Sequence, residues 1–520
     1  MKYDLTFGSY GNFNWSTGSN KIRSLNLIDR EALEKSRGLQ RWEIGDIAAK
    51  IVFSNKLQSS YGYSLRTSDT RYLNESFVFY EAIRSRSYFK DTSSSAVLFN
   101  KKLRYFARFL VVLLFQNKRE FAEVVIKELR ELVNAYTNSF NLPDANEWQL
   151  VLIELDTFLK ADVIVSVGPS PDLINYRTSL PDSNSLNLDA TKNSPRSSFI
   201  TIAESILVSN RRRHVKFSEL SLDMFRIMQS LERTSDRTAG SRFKNAHKTM
   251  LHRPTFSEIL FALSSCLQET DFQQCLLLYI TVDDMFVRKA RGNGAPVSPS
   301  TPTASDISLP LSLLTDQRSD INSWSWDDIV PFTRKPFFLI IETESSSTFI
   351  PRKNKFGQPL VCLSSSSISL PLNLQNQSRT GSLFTFFLTA PMLALAFMCG
   401  ASTLDHDAYS KAVDTTNVAL NELAVCLMSD SKIDVSYRTF LENVILRAYI
   451  TRFILFHAVI NRYFKNYTQK PYPTCFPEMH FLENPDSQPM VIVRELLENV
   501  LTMLNLTGRL ASHHDNVNNT

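Results

Sequence analysis

The string DDIVPFTRKPFFLII at residues 327–341, followed by PLVCL at residues 359–363, decides the fold class of this chain. Each apolar run is short and is bounded by proline, glycine or charged residues, which is typical of strands that are buried on both faces of a sheet. A third such run, CLLLYIT, begins at Cys275 after a helical pattern. The order helix, strand, long excursion, strand, loop, strand, helix predicts an α/β layer with a short, largely parallel sheet.

Residues 380–404 follow these strings and contain no charged residue. Because about 20 apolar residues are enough to cross a bilayer, a membrane span is one interpretation of this window. Pro391 near its middle, the hydroxyls of Thr385 and Thr389, and the preceding strands, which need a sheet to pair with, favour a core helix that is broken or kinked at Pro391. We therefore expect no membrane contact.

The first half of the chain has a helical pattern. In FAEVVIKELRELV, from Phe121, apolar residues recur at helical spacing and charged residues take the opposite face. The string LRYFARFLVVLLF, from Leu103, is apolar on nearly every side, as an inner helix is. YLNESFVFYEAIRSRSYF, from Tyr72, is loosely similar to a tetratricopeptide helix, although no clean repeat accompanies it and aromatic packing in an α-helical array explains the stripe as well.

Composition divides the chain into segments. With 520 residues, 43% hydrophobic and 21% charged, the chain is long enough for two or three globular units. Stretches rich in serine, proline and asparagine without periodicity indicate a linker and an insertion. We predict a flexible arm over 1–36, a helical domain over 37–165, a linker over 166–200, a connecting helical segment over 201–250, an α/β domain over 251–468 with a disordered insertion over 287–326, and a C-terminal helix and tail over 469–520.

Two features of this composition bear on regulation and location. Ser298 and Thr301 each precede a proline in the insertion, so phosphorylation by a proline-directed kinase is a hypothesis that phosphopeptide mapping tests. The N-terminus has no apolar signal region and the six cysteines lie scattered in apolar strings, so we expect reduced thiols and a cytosolic or nuclear protein.

One dense basic patch consists of Arg211, Arg212, Arg213, His214 and Lys216. It predicts a nuclear-import or phosphate-contact role, although a solvated helix entry explains the same residues without a function. The net charge of +5 is mild for a chain of this length and does not establish direct contact with DNA.

The sequence carries few signs of catalysis. It contains no phosphate-cradling glycine-rich loop, HExxH motif, zinc-spaced cysteine pair or GxSxG elbow. One weak metal site follows the PFFLII strand, where open α/β sheets place their ligands, and consists of Glu342, Glu344 and Ser346. Von Willebrand A-type domains hold a divalent cation there with Asp-x-Ser-x-Ser, but only Ser346 matches that string, and a solvated strand end is the competing interpretation. We predict no catalytic residue and no cofactor.

Several long and unusual peptides resemble a known family, that of the suppressor of cancer cell invasion (SCAI), over about residues 38–465. The peptides are DDIVPFTRKPFFLII, FGQPLVCL from Phe356, NQSRTGSLFTFFL from Asn376, GLQRWEIGDIA from Gly38, LRTSDTRYLNESFVFYEAIRSRSYF from Leu65, KKLRYFARFLVV from Lys101, VKFSEL from Val215 and PTFSEI from Pro254. The motif positions within the central peptides are Pro331, Phe332, Arg334, Lys335, Phe356, Gly357, Gln358, Arg379 and Gly381. The chain departs from the family in ETESS, where the family's pattern is closer to Asp-x-Ser-x-Ser.

The resemblance implies a non-enzymatic adaptor of the nucleus, found also in the cytoplasm. It implies a transcriptional corepressor that binds a myocardin-related coactivator on serum response factor, downstream of Rho and actin signalling in cell migration. It also implies a link to chromatin proteins of DNA double-strand-break repair. The family has no established catalytic residues, so none carries over. A second interpretation stays open, in which the chain is a divergent metal- or ligand-binding α/β enzyme with its site at the strand ends near Glu342.

Overall fold

The computed structural model of the chain describes residues 73–87, 89, 95–116, 118–140, 143–168, 200–211, 214–231, 246–282, 285–286, 312–314, 323–324, 326–343, 351, 353–365, 377–464 and 472–510. Its helices are α1 (Leu73–Ser85), α2 (Ala96–Phe115), α3 (Arg119–Phe140), α4 (Ala145–Asp162), α5 (Leu222–Leu231), α6 (Phe256–Glu269), α7 (Trp326–Ile329), α8 (Gln377–Thr380), α9 (Leu383–Thr389), α10 (Pro391–Met398), α11 (His406–Ser429), α12 (Val435–Leu441), α13 (Val444–Tyr463) and α14 (Gln488–Met503), with 3-10 turns at Val330–Arg334 and His480–Glu483. Its strands are β1 (Ser166–Val167), β2 (Thr201–Asn210), β3 (Lys216–Phe217), β4 (Leu220–Ser221), β5 (His247–His252), β6 (Gln274–Val282), β7 (Met285–Phe286), β8 (Ser312–Leu314), β9 (Ser323–Trp324), β10 (Phe337–Glu342), β11 (Leu360–Ser364), β12 (Thr403–Leu404) and β13 (Thr474–Phe476).

Helices α1 to α4 form the predicted helical half. The second helix is buried along most of its length, whereas α3 buries one stripe and exposes its charged face, as their sequences indicate. Aromatic rings join α1 to α2: Tyr80 stacks on Phe109 with centroids 5.3 Å apart, and the Tyr105 hydroxyl donates to the Tyr80 carbonyl at 2.6 Å. The aromatic stripe of α1 is therefore core packing.

The central sheet has six strands in the order β13-β11-β10-β6-β2-β5, and every neighbouring pair is parallel except β11 with β13. The predicted short, largely parallel sheet is thus confirmed. Counted in chain order, its five parallel strands lie in the doubly wound order 2-1-3-4-5. In such sheets the topological switch point lies between the first and third strands, here β2 and β6, and ligands bind at its carboxyl end.

The sheet extends beyond the segment that the sequence assigned to it. Residues 201–250, predicted as a connecting helical segment, contain the helix α5 but also supply the strand β2 and most of β5. The polar residues Glu204 and Ser205 inside β2 obscure its strand character in the sequence. Their hydrogen-bonding groups find partners on the neighbouring strand β5: the Glu204 carboxylate lies 2.7 Å from His247 Nδ1, and the Ser205 hydroxyl donates to the His247 carbonyl at 2.8 Å. Residues 469–520 likewise supply the edge strand β13. Within 287–326, predicted as disordered, β8 and β9 form a small antiparallel sheet with β7.

Both faces of the sheet are covered by helices. Successive side chains along β6 and β10 point to opposite faces of the sheet, as the pleat requires. They therefore belong alternately to two apolar clusters, one on each face. On one face Phe337 and Leu339 pack with Ile259 of α6. On the other face Phe338 meets Phe440 of α12 with ring centroids 5.4 Å apart. The continuous apolar strings of the sequence follow from this double burial.

The uncharged window forms core helices, as predicted. It divides into α9 and α10, and the chain leaves helical geometry between them at Ala390, with φ −144° and ψ 70°, directly before Pro391. Every residue of α9 is buried, and the Tyr279 hydroxyl of β6 lies 2.8 Å from the Thr385 hydroxyl within it. The break at Pro391 therefore divides the window into two short helices that both pack in the core.

Among the described residues, one helix is long and apolar enough to cross a bilayer by length and composition, and it is α13. In the structure 78% of its apolar window is buried inside the protein, against the sheet and the neighbouring helices. Its apolar character is thus accounted for by core packing.

The double burial of the sheet predicts a strong dependence on Phe338. We expect Phe338→Ala to lower the free energy of unfolding by roughly 3–5 kcal/mol, because it leaves a cavity between β10 and α12. Val418→Ala, at a position 68% exposed on α11, should change it by less than about 0.5 kcal/mol. Urea midpoints of the two variants check this. Equal midpoints would contradict the placement of Phe338.

Candidate functional site

The candidate site lies at the carboxyl edge of the sheet, where β2, β6 and β10 end. In register, Ser209 pairs with Thr281 and Thr281 pairs with Glu342, so these residues form a row across the three strands. All three share the sheet face that α5 and α9 cover. This is the switch point of the fold, and Glu342 of the predicted metal site lies there.

Arg211 closes this row. Its guanidinium Nη2 lies 3.2 Å from Glu342 Oε1, and its Nε donates to the Thr281 hydroxyl at 2.8 Å. The Arg211 and Glu342 residues are 8% and 4% exposed. Burial raises the pKa of Glu342 to about 7, while nearby Arg211 and hydrogen bonds from Ser382 and Ser365 act in the opposite direction. The pair fills the position at which a doubly wound sheet would receive a ligand.

A second buried group lies beside the first and is centred on Asp223 of α5. Its carboxylate oxygens accept from the Ser382 backbone N–H at 2.9 and 3.1 Å, just before α9. Asp223 Oδ2 lies 3.2 Å from His214 Nε2, and Oδ1 lies 3.7 Å from Arg226 Nη1. The side chains of Asp223 and Arg226 have no exposed surface. Buried charges of this kind persist only when they are paired and hydrogen-bonded.

Arg226 connects three parts of the chain. Its Nη1 donates to the Thr380 carbonyl at 2.9 Å, and its Nη2 donates to the Ala161 carbonyl at the end of α4 at 3.1 Å. Its guanidinium also lies 4.4 Å from the centroid of the Phe386 ring in α9. The group therefore joins the helical half, α5 and the helices that cover the sheet.

Gly381 is required at the centre of these contacts. Its φ is +74°, and a Cβ added there would lie 2.6 Å from Asp223 Oδ1 and 2.8 Å from Arg226 Nη1. Only glycine combines this left-handed backbone with so close an approach. The local packing thus explains why the family-motif position 381 is a glycine.

The contacts of Glu342 suit structural support better than metal binding. A metal at Glu342 would compete with the Arg211 guanidinium, and no group of three or more His, Cys, Asp or Glu side chains suited to a metal occurs in the part of the chain that the structure describes. Glu344 and Ser346 lie outside the described residues. The carboxyl edge is therefore closed by the protein's own ion pairs.

Of the predicted basic patch, Arg211, His214 and Lys216 lie among the described residues. Arg211 is buried against Glu342 and so does not belong to an exposed patch. Lys216 lies on β3, 3.6 Å from Glu154 of the helical half, with its side chain 40% exposed. Arg212, Arg213, Ser298 and Thr301 lie outside the described residues.

The remaining motif positions lie mostly at the opposite, amino-terminal edge of the sheet. Pro331, Phe332 and Arg334 belong to the 3-10 turn before β10, with Lys335 directly after it. Phe356, Gly357 and Gln358 form the loop before β11, and Arg379 is exposed on α8. The sequence analysis missed Asp223 and Arg226. Their signal was two opposite charges three residues apart inside the apolar helix LDMFRIMQSL.

Comparison with known proteins finds relatives along most of the chain. The family model described as Protein SCAI matches residues 26–242 and 234–467. Protein SCAI of Homo sapiens is 33% identical and that of Mus musculus 32% identical over 487 residues, covering 89% of this chain and 79% of each relative. A Protein SCAI homolog of Dictyostelium discoideum is 28% identical over 605 aligned positions, covering 82% of this chain and 77% of the relative. These matches span both the helical half and the sheet.

Replacing Gly381 tests the close packing at this edge. We expect Gly400→Ala, at φ +71° with open space around it, to cost about 1–2 kcal/mol from backbone strain alone. Gly381→Ala should cost roughly 1–3 kcal/mol more, because the new Cβ also displaces Asp223 and Arg226. Urea midpoints of both variants give the difference. Two equal losses would show that the contacts of Asp223 and Arg226 do not depend on Gly381.

Glu342 should make stability depend on pH. Its pKa of about 7 in the folded chain exceeds the ordinary 4.5, so the folded state binds more protons between these values and loses stability as the pH rises through them. Glu342→Gln cannot titrate. We expect the stability of the wild type relative to this variant to fall by roughly 2–3 kcal/mol between pH 4.5 and pH 8, measured by urea unfolding. If the stability of the wild type and of Glu342→Gln changed equally across this pH range, the raised pKa of the buried Glu342 carboxyl would be contradicted.

Proposed function

The chain belongs to the SCAI family, and from this premise we propose that it is a non-enzymatic adaptor that represses transcription. In this proposal it binds a myocardin-related coactivator on serum response factor and withdraws it from transcription. Its site of action is the nucleus, with a second population in the cytoplasm. Its other partners are chromatin proteins of double-strand-break repair, in keeping with the family resemblance.

One observation supports an adaptor over an enzyme. The carboxyl edge of the sheet, where a doubly wound fold receives a small molecule, is filled by the Arg211–Glu342 pair and by the Asp223 carboxylate that holds the turn before α9. A ligand at this position would have to displace a buried ion pair, which costs several kcal/mol. Binding of a partner protein is then left to the outer surfaces of the two halves.

Repression by capture fits this architecture. Arg226 fixes the helical half to the α/β half, so surfaces on both can meet one partner without paying for reorganisation between them. A coactivator held by such a preorganised surface is unavailable to serum response factor, and no chemical step is needed. Binding strength alone then sets the extent of repression.

The adaptor and the enzyme alternative make different predictions for Glu342. We expect the purified full-length chain to bind the purified coactivator, and Glu342→Gln in the presence of EDTA to keep that affinity within about threefold, because the carboxyl edge does not touch the partner. The measurement is a dissociation constant by biolayer interferometry at pH 7.5.

Two controls complete the test. Glu204→Gln, at another buried carboxylate on β2, reports the effect of losing an internal charge elsewhere in the sheet. A wild-type chain that does not bind the coactivator would contradict the corepressor proposal. Loss of binding with Glu342→Gln or EDTA, but not with Glu204→Gln, would favour the ligand-dependent alternative.

A further inference from the structure

The amino-terminal edge of the sheet carries a surface that the carboxyl-edge contacts do not explain. It lies where β6, β10 and β11 begin. The Phe337 backbone N–H donates to the Pro359 carbonyl at 2.9 Å, and the Leu276 N–H donates to the Pro336 carbonyl at 3.1 Å. The segments that enter these strands are therefore fixed side by side.

The loop before β11 is held by Asn354. Its side-chain oxygen accepts from the backbone N–H groups of Phe356 at 3.3 Å and Gly357 at 3.1 Å, and its amide nitrogen donates to the Gln358 carbonyl at 2.7 Å. Gly357 supplies the left-handed φ of +66° that the turn needs. Phe356, which is 40% exposed, is thus presented to solvent on a preorganised loop.

Two exposed rings on this edge each carry a cation on one face. The Arg334 guanidinium lies 5.1 Å from the centroid of Phe356, and the Lys335 ammonium lies 5.7 Å from that of Phe272. Phe272 is 69% exposed and lies two residues before β6. Lys335 also donates to the Leu267 carbonyl at 2.6 Å, so it fixes the end of α6 beside Phe272 at this amino-terminal edge.

Two of the three segments that enter these strands carry charge of one sign, whereas the third has exposed Asp271 beside Phe272. The strings PFTRKP at 331–336 and PRKNKFGQP at 351–359 contain five lysine and arginine residues and no aspartate or glutamate. Arg334, Lys353 and Lys355 are exposed, and none of the three forms an ion pair within the described part of the chain. Exposed apolar rings among uncompensated cations are a surface that attracts an acidic partner.

We propose that this amino edge, formed by Phe272, Arg334, Lys335, Lys353, Lys355 and Phe356, docks an acidic protein segment that carries large apolar side chains. The carboxylates of the segment meet Arg334, Lys353 and Lys355, and its apolar side chains cover the two rings. Single-stranded nucleic acid fits less well, because bases stack on ring faces and a cation already covers one face of each ring. The proposal rests on the proposed function, in that an adaptor needs such a surface.

The test uses the full-length chain and a fluorescein-labelled peptide of alternating acidic and Phe or Leu residues. A matched peptide replaces each acid by its amide, and labelled oligo-dT tests the nucleic-acid outcome. The amino-edge variant is Arg334→Glu/Lys353→Glu/Lys355→Glu. The control variant, Lys411→Glu/Lys432→Glu/Arg494→Glu, makes the same charge change at exposed positions of the C-terminal part. Phe356→Ser removes one ring without changing charge. Anisotropy gives the dissociation constants.

We expect the acidic peptide to lose at least about tenfold in affinity on the amino-edge variant and on amide substitution, and less than about threefold on the control. Phe356→Ser should also weaken binding, at unchanged charge. Three outcomes would contradict the proposed docking surface. They are no binding of the acidic peptide, an equal loss of peptide affinity on the two charge variants, and tighter binding of oligo-dT than of the acidic peptide.

The same variants separate this surface from the adaptor proposal. If the acidic peptide fails these tests but the coactivator binds the wild type, the docking surface is wrong and the adaptor function stands. If the acidic peptide binds as expected but the coactivator does not bind the wild type, the surface stands and the corepressor function is wrong.

Discussion

One buried guanidinium connects the two halves of this protein. Arg226 has no exposed side-chain surface, and it donates to the Ala161 carbonyl of the helical half and to the Thr380 carbonyl before α9. Removing a partner from such a buried group costs roughly 3–5 kcal/mol, because a charge or a polar group is left without compensation. The packing of the helical half on α5, and of α9 on the sheet, therefore depends on contacts that meet at this residue.

That constraint also shapes the part of the fold where chemistry would be expected. The sheet has the doubly wound order whose switch point binds ligands in many proteins, yet here Arg211 and Glu342 occupy it and Asp223 anchors the turn above. Fold alone does not determine function, because function depends on the residues of the site. The same edge that holds a ligand in other proteins serves here to join layers of the fold. Under the proposed adaptor function, recognition then falls to the outer surfaces.

Sequence patterns predicted the elements that are uniform along their length. PFFLII, PLVCL and CLLLYIT became strands because both faces of the sheet are buried, and the window broke at Pro391 because proline cannot continue the helix. The strand β2 was missed because Glu204 and Ser205 are satisfied only by β5, some forty residues later in the chain. Arg211 was assigned to a basic patch for the same reason: its partner Glu342 lies 131 positions away, and local patterns contain no information about such pairs.

The most direct test of an adaptor whose carboxyl edge is structural is hydrogen–deuterium exchange of the full-length chain with and without the coactivator. The account predicts slower exchange on outer surfaces, foremost in peptides covering 330–336 and 353–359, and unchanged exchange at the strand ends around 209–211, 280–282 and 340–343. Protection confined to those strand ends, with none on any outer surface, would contradict it.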